Sequence, residues 1–137
     1  MQKYTVPTVA AANERMERLR IAKEKLTLEV EQIMNHSEEE QLTWTATKTD
    51  LMEALYYAYN QMTIIDEYGV PLTFRCIVER CCRVLHTKVP NNPYGMAEKG
   101  QNRKGVKSVN FMKRYLRMSE RETTENTLWS NISKSLS

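Results

Sequence analysis

The stretch from Lys99 to Arg121 carries Lys99, Arg103, Lys104, Lys107, Lys113, Arg114, Arg117 and Arg121 against a single acid, Glu120. Cationic side chains at this density neutralise phosphates and release their counterions, giving an affinity that falls with salt. Gln101 and Asn102 precede most of the cluster. Each amide carries both a donor and an acceptor, the combination that reads base edges in a groove. The candidate contact set is therefore Gln101, Asn102, Arg103, Lys104, Lys107, Arg114 and Arg117, with Tyr94 able to meet a phosphate or base. Charge alone marks only a footprint, and the same cations fit an ordinary solvated helix face. The net charge of +3 is modest. Its distribution says more, because the compensating acids lie upstream and include Glu38, Glu39 and Glu40.

Other chemistries find less support. Cys76, Cys81, Cys82 and His86 invite a metal, since Cys82 and His86 stand four apart on one helix face. Zinc commonly takes its four ligands from two separated pairs, and only His36 is available to extend this one. Core thiols in a helix are the commoner arrangement, so neither a metal nor a cofactor is expected. The chain has no Gly-rich phosphate loop, no nucleophile elbow and no His-Glu metal helix. Asp50, Glu53 and Asp66 read as capping or surface acids, and the tyrosines as core-edge aromatics. No catalytic step is expected.

Positioning such a cluster requires a scaffold, and the composition specifies its class. A length of 137 residues fits one domain with an arm or tail. Four Gly, four Pro and two Phe in a chain rich in Leu, Met, Glu, Lys and Arg favour helices over strands and turns. No apolar run is long enough for a bilayer, and no basic-then-apolar leader opens the sequence. Three cysteines, an odd set crowded onto one helix, do not make a secreted disulfide framework. A cytoplasmic protein with reduced thiols and no membrane partner is the expectation.

Hydrophobic spacing then places the elements. Met16, Leu19, Leu26, Val30 and Ile33 form a heptad-like stripe on a helix ending near Met34, suited to packing on the domain or pairing with a second copy. Leu42–Thr45 is short and β-prone. Thr47 is placed to cap a helix whose buried face is Leu51, Ala54, Leu55, Ala58 and Met62. Gly69-Val70-Pro71 marks a turn, and Thr73 caps a helix bearing Phe74, Ile77, Val78, Cys81 and Leu85. Pro90 to Pro93 stops that helix and starts a short, weak one over Tyr94–Gln101, with Pro93 at its first position. A last helix runs from Lys107 or Ser108 to about Glu120, with Phe111, Met112, Tyr115 and Leu116 on its apolar face. The expected core is Leu51, Leu55, Ile77, Val78, Leu85, Phe111 and Leu116.

The run Leu42-Thr43-Trp44-Thr45-Ala46-Thr47-Lys48-Thr49-Asp50-Leu51-Met52-Glu53-Ala54-Leu55-Tyr56-Tyr57-Ala58 resembles the C-terminal part of the RteC family. That family shows a Trp-Thr, a small residue, Ser/Thr-Lys and then a Leu-rich helix containing Glu-Leu-(Ile/Leu)-Tyr-Ala-Leu. Trp44, Thr45, Lys48, Leu51, Glu53, Leu55, Tyr56 and Ala58 fit the pattern. Phe74 to Val89 stands for the family's next helix, and Arg103-Lys104 and Lys107-Ser108 for its later basic elements. The resemblance spans about Leu42 to Met118. It implies a helix-turn-helix-type DNA-binding regulator of transcription that controls excision genes of conjugative transposons. The sequence departs from the family at Gly95, Gly100 and Gly105, where the family is more continuously helical, and residues 1–40 match none of its N-terminal part.

Together these readings predict an all-α protein with a long N-terminal helical arm (1–40), a helical DNA-binding domain (41–121) whose C-terminal part is helix-turn-helix-like, and a polar, mobile tail (122–137). The helix over Phe74–Leu85 and the Tyr94 segment form one candidate helix-turn-helix pair, although the turn between them is longer than a minimal one. Double-stranded DNA is the expected partner, with a homodimer through the N-terminal helix as an open possibility. The competing class is a helical interaction module in which the Met16–Ile33 stripe is the partner surface.

Overall fold

The computed structural model of the protein describes residues 8–103, 110–120 and 128–134. Its elements follow in the order α1 (Val9–Asn35), β1 (Leu42–Trp44), α2 (Lys48–Asn60), α3 (Phe74–Val84), α4 (Pro93–Gln101), α5 (Phe111–Ser119) and β2 (Ile132–Lys134). The described chain is mostly helical, as the composition predicts. No helix among the described residues is long and apolar enough to cross a membrane.

Each of the five helices begins on a side-chain cap. Thr8, Thr47, Thr73, Asn92 and Asn110 accept from the backbone N–H three residues on, satisfying a donor the first helical turn leaves unpaired. Thr47 and Thr73 are the caps their sequence positions predict, and Pro93 opens α4. The turn between α2 and α3 is built by Asp66, whose Oδ1 accepts from the N–H groups of Tyr68 and Val70. Gly69 takes φ +81° there, a conformation that costs glycine little.

The core lies where α1, α2, α3 and α5 meet. Leu51, Leu55, Ile77, Val78, Leu85 and Phe111 are buried as expected, while Leu116 is half-buried at the margin. In α1, Leu26, Val30 and Ile33 are fully buried, Leu19 is half-buried, and Met16 and Val9 are 69% and 78% exposed. The stripe is thus divided. Its second half belongs to the core and its first half faces solvent. Arg80 of α3 fastens the buried end, donating from Nε to the Met34 carbonyl (2.9 Å) and from Nη2 to the His36 carbonyl (2.8 Å). A cation on these end carbonyls also complements the negative pole of α1.

The segment read as a polar, mobile tail is otherwise in part. Over residues 128–134, Leu128 is fully buried, the Trp129 indole donates to Gln32 Oε1 (3.0 Å), and β2 pairs antiparallel with β1. The register sets Leu42 opposite Lys134 and Trp44 opposite Ile132. Composition concealed this because the few apolar residues there are spaced by Ser and Asn. The β1 backbone supplies the ladder partner that the sequence around Ile132 does not advertise.

Candidate nucleic-acid interface

Three buried carboxylates hold the C-terminal part of the chain on the helical core. Glu53 of α2 is wholly buried, and its two oxygens accept from the backbone N–H groups of Phe111 (3.0 Å) and Met112 (2.8 Å). It therefore caps α5 from another helix, where the positive pole of α5 favours an anion. Burial pushes the Glu53 carboxyl above the usual carboxylate range, and the two N–H donors oppose that rise. Glu29 of α1 accepts from the Tyr115 hydroxyl (3.0 Å) and from the Leu128 N–H. Its carboxyl is likewise raised by burial. Asp50, in the first turn of α2, accepts from both Arg103 and Arg114 on the same oxygen, Oδ1.

Reading Asp50 and Glu53 as capping or surface acids was therefore wrong about their surroundings. Both lie inside the protein, because α2 is covered on nearly every side over residues 50–55. One signal was present in the sequence: two acids three residues apart, next to the apolar stripe of a helix, with excess arginine downstream.

Gly100 has the same origin. A Cβ there would come within 2.7 Å of Glu53 Oε1 and 3.2 Å of Thr49 Cγ2. Gly100 thus lets α4 approach α2 closely, despite its low helix propensity. Gly100→Ala is expected to lower stability by about 1–3 kcal/mol, as overpacking does, read as a shift in the urea midpoint. An unchanged midpoint would mean that Glu53 has room to move.

The sequence-derived site residues fall into three groups. Arg103 and Arg114 are brought together from the end of α4 and the first turn of α5. Their side chains are 26% and 41% exposed around an Asp50 carboxylate that is 4% exposed. The Arg114 guanidinium also lies over the Phe111 ring at 5.6 Å, and its Nε is buried with no hydrogen-bond partner. Arg117 is exposed on α5, as is Lys113, and neither side chain has a partner among the described residues. Gln101 ends α4 half-buried, its carbonyl accepting from the Asn110 side chain (3.2 Å), while Asn102 caps the helix and is exposed. Lys104 and Lys107 lie outside the described residues.

No family model, curated protein or solved structure matches the chain.

The electrostatics of the site follow from its stoichiometry. Two guanidinium groups share the buried Asp50 carboxylate, the Glu53 carboxylate acts on Arg103 from within, and the exposed Lys113 and Arg117 of α5 add positive charge at the surface. Each guanidinium has five donors and spends only part of them on Asp50. A buried acid that fixes two partly exposed arginines presents their remaining N–H groups in set directions, which suits phosphate oxygens. Beside it, a hollow of about 470 Å³ runs between α2 and α4, lined in part by Thr49, Asn91, Asn92 and Lys99.

The α3–α4 pair considered for a helix-turn-helix touches through Phe74 and Tyr94, with ring centroids 4.7 Å apart. The main packing partner of α4 is α2. Cys81 and Cys82 are buried, free thiols, and burial pushes both upward, Cys82 to about 11. Thiols kept protonated at neutral pH are poor ligands and poor nucleophiles. The described residues contain no group of three or more potential metal ligands.

Proposed function

We propose that this protein is a DNA-binding transcriptional regulator of the RteC type, acting on genes of a mobile element, with no catalytic step. The observation that carries the reading is the convergence of Arg103 and Arg114 on buried Asp50, beside the exposed Lys113 and Arg117 of α5. Arginines fixed at a helix start, with further exposed cations along that helix, are what backbone phosphates need. Gln101 and Asn102 stand at the adjoining end of α4 and supply base-reading amides. The likeness of the Trp44–Ala58 run to the RteC family adds a regulator's role. It also places α2, the helix that holds the patch, at the centre of the motif.

In this reading the helix-turn-helix-like part lies in the C-terminal half of the chain and includes α4 and α5. Fluorescence anisotropy on duplex DNA from upstream of the neighbouring genes tests it, with a scrambled duplex of equal length alongside. Tighter binding to the upstream duplex is expected. Equal affinity for both would leave only phosphate contacts, and no binding to either would remove DNA as the partner.

The second reading, a dimerisation module, is favoured by the exposure of Val9 and Met16 on the first half of α1. A few turns of helix with solvated apolar side chains gain little stability alone and more from a partner. An antiparallel pair of α1 helices would give the arm that role. Sedimentation across a hundredfold range of protein concentration is expected to show a dimer that persists at high salt, and Met16→Glu is expected to shift it to monomer. A monomer throughout would exclude this use of α1.

A further inference from the structure

His86 closes α3 in a left-handed conformation (φ +54°), which turns its imidazole back toward the link between α1 and β1. Its Nδ1 stands 2.8 Å from the Leu42 carbonyl oxygen and its Nε2 2.7 Å from the Glu38 carbonyl oxygen. A backbone carbonyl can only accept. A neutral imidazole carries one N–H and one bare nitrogen, so it can serve one of these oxygens and must repel the other. Only the imidazolium donates to both.

We propose that His86 is a proton-operated clamp, which as imidazolium ties the Glu38–Leu42 link to the end of α3 and on losing its proton lets one side go.

The surroundings favour the charged form. The Glu38 carboxylate faces the same site and is itself held by Arg80 Nη1 (3.0 Å) and Arg83 Nε (2.9 Å) of α3. From β1 the contact is the Leu42 main chain, which brings no charge. The two carbonyl acceptors raise the His86 pKa above its ordinary value, burial opposes them, and the Glu38 carboxylate adds a lesser rise.

The clamp sits where it can be felt elsewhere. Leu42 is the first residue of β1, the strand that pairs with β2 and carries Trp44 against Phe111 of α5 (ring centroids 6.3 Å). Loosening the link frees the lead into β1, and with it the support behind the start of α5.

The sign of the pH effect is fixed. The folded-state pKa is raised, so the clamp's contribution is complete below the unfolded-state value of about 6.5 and is lost as pH rises through the folded value. Each unit of elevation makes opening of the link tenfold more favourable once the proton has gone. The link should therefore loosen as pH rises above the value at which a free histidine titrates.

The chain has two histidines, so the test can be made on the intact protein by long-range ¹H–¹⁵N NMR of the imidazole rings, with His36→Gln supplying the assignment. Both ring nitrogens of His86 are expected to carry protons below its titration midpoint, and that midpoint to lie above that of a free histidine. Amide exchange over residues 38–43, corrected for its intrinsic dependence on pH, is expected to accelerate through the same midpoint. In His86→Gln, whose amide donates but does not titrate in this range, the corrected rates are expected to be independent of pH. A single neutral tautomer below the free-histidine midpoint, a midpoint at or below the free value, or the same acceleration in His86→Gln would each overturn the clamp.

Discussion

Glu53→Ala is expected to lower the stability of the protein by about 3–5 kcal/mol, because it removes a wholly buried side chain and two hydrogen bonds together. The N–H groups of Phe111 and Met112 would be left without a partner in a site closed to water. The cavity would add the cost of a deleted core group. Glu53→Gln separates the two effects. In Gln one of the two accepting oxygens becomes an NH2 that faces an N–H donor, so the variant is expected to recover only about half the loss.

The pH dependence separates them further. Burial raises the carboxyls of both Glu53 and Glu29, so the native state binds protons more readily than the unfolded chain. Stability from this source is greatest near and below the unfolded-state value of about 4.3 and falls as pH rises through the folded values. Glu53→Gln is expected to flatten that fall in part, leaving the share due to Glu29. Urea midpoints between pH 4 and pH 8 measure it, and a slope unchanged by the substitution would assign the pH dependence elsewhere.

Salt should weaken duplex binding steeply. If Arg103, Lys104, Lys107, Arg114 and Arg117 all met phosphates with full charge, five contacts would set the slope. Asp50 offsets one charge, leaving about four and a slope of log affinity against log salt of roughly −3.6. Raising salt from about 50 to about 200 mM should then cost roughly a hundredfold in affinity.

The informative variant follows from the same geometry. Arg103→Ala and Arg114→Ala would also strand the buried Asp50 carboxylate, so loss of binding would be mixed with loss of fold. Lys104, Lys107 and Arg117 changed together to Ala leave that cluster intact. This triple variant is expected to retain the fold by circular dichroism and to reduce the slope by about 2.7. Duplex affinity unchanged from the parent at every salt concentration would remove this surface from the proposed interface.

The helical class was legible in composition. The caps at Thr47 and Thr73, the core stripe of α3 and that of α2 as far as Ala58 were legible in spacing, whereas Met62, expected on the same face, lies beyond the end of α2 and is 54% exposed. These are local properties: a cap needs a hydroxyl three residues before its N–H, and a buried helix face repeats at intervals of three and four. The basic cluster was equally readable, because a run of lysine and arginine with a single acid requires no fold to be noticed. What a local reading could not supply was the partner of each charge.

Sequence alone marks Asp50 and Glu53 as capping or surface acids because nothing within a few residues requires them to be buried. Their partners Arg103, Arg114, Phe111 and Met112 lie more than fifty residues downstream. Likewise, Ile132 and its neighbours show no strand pattern long enough to stand out, and only the β1 backbone makes them one. The sequence by itself determined which residues form helices and where positive charge gathers. Tertiary structure alone decided that buried acids from α1 and α2 hold α5 and the Leu128 segment in place. A carboxylate is costly to bury without N–H donors or cations, so the fold must bring distant donors to each one.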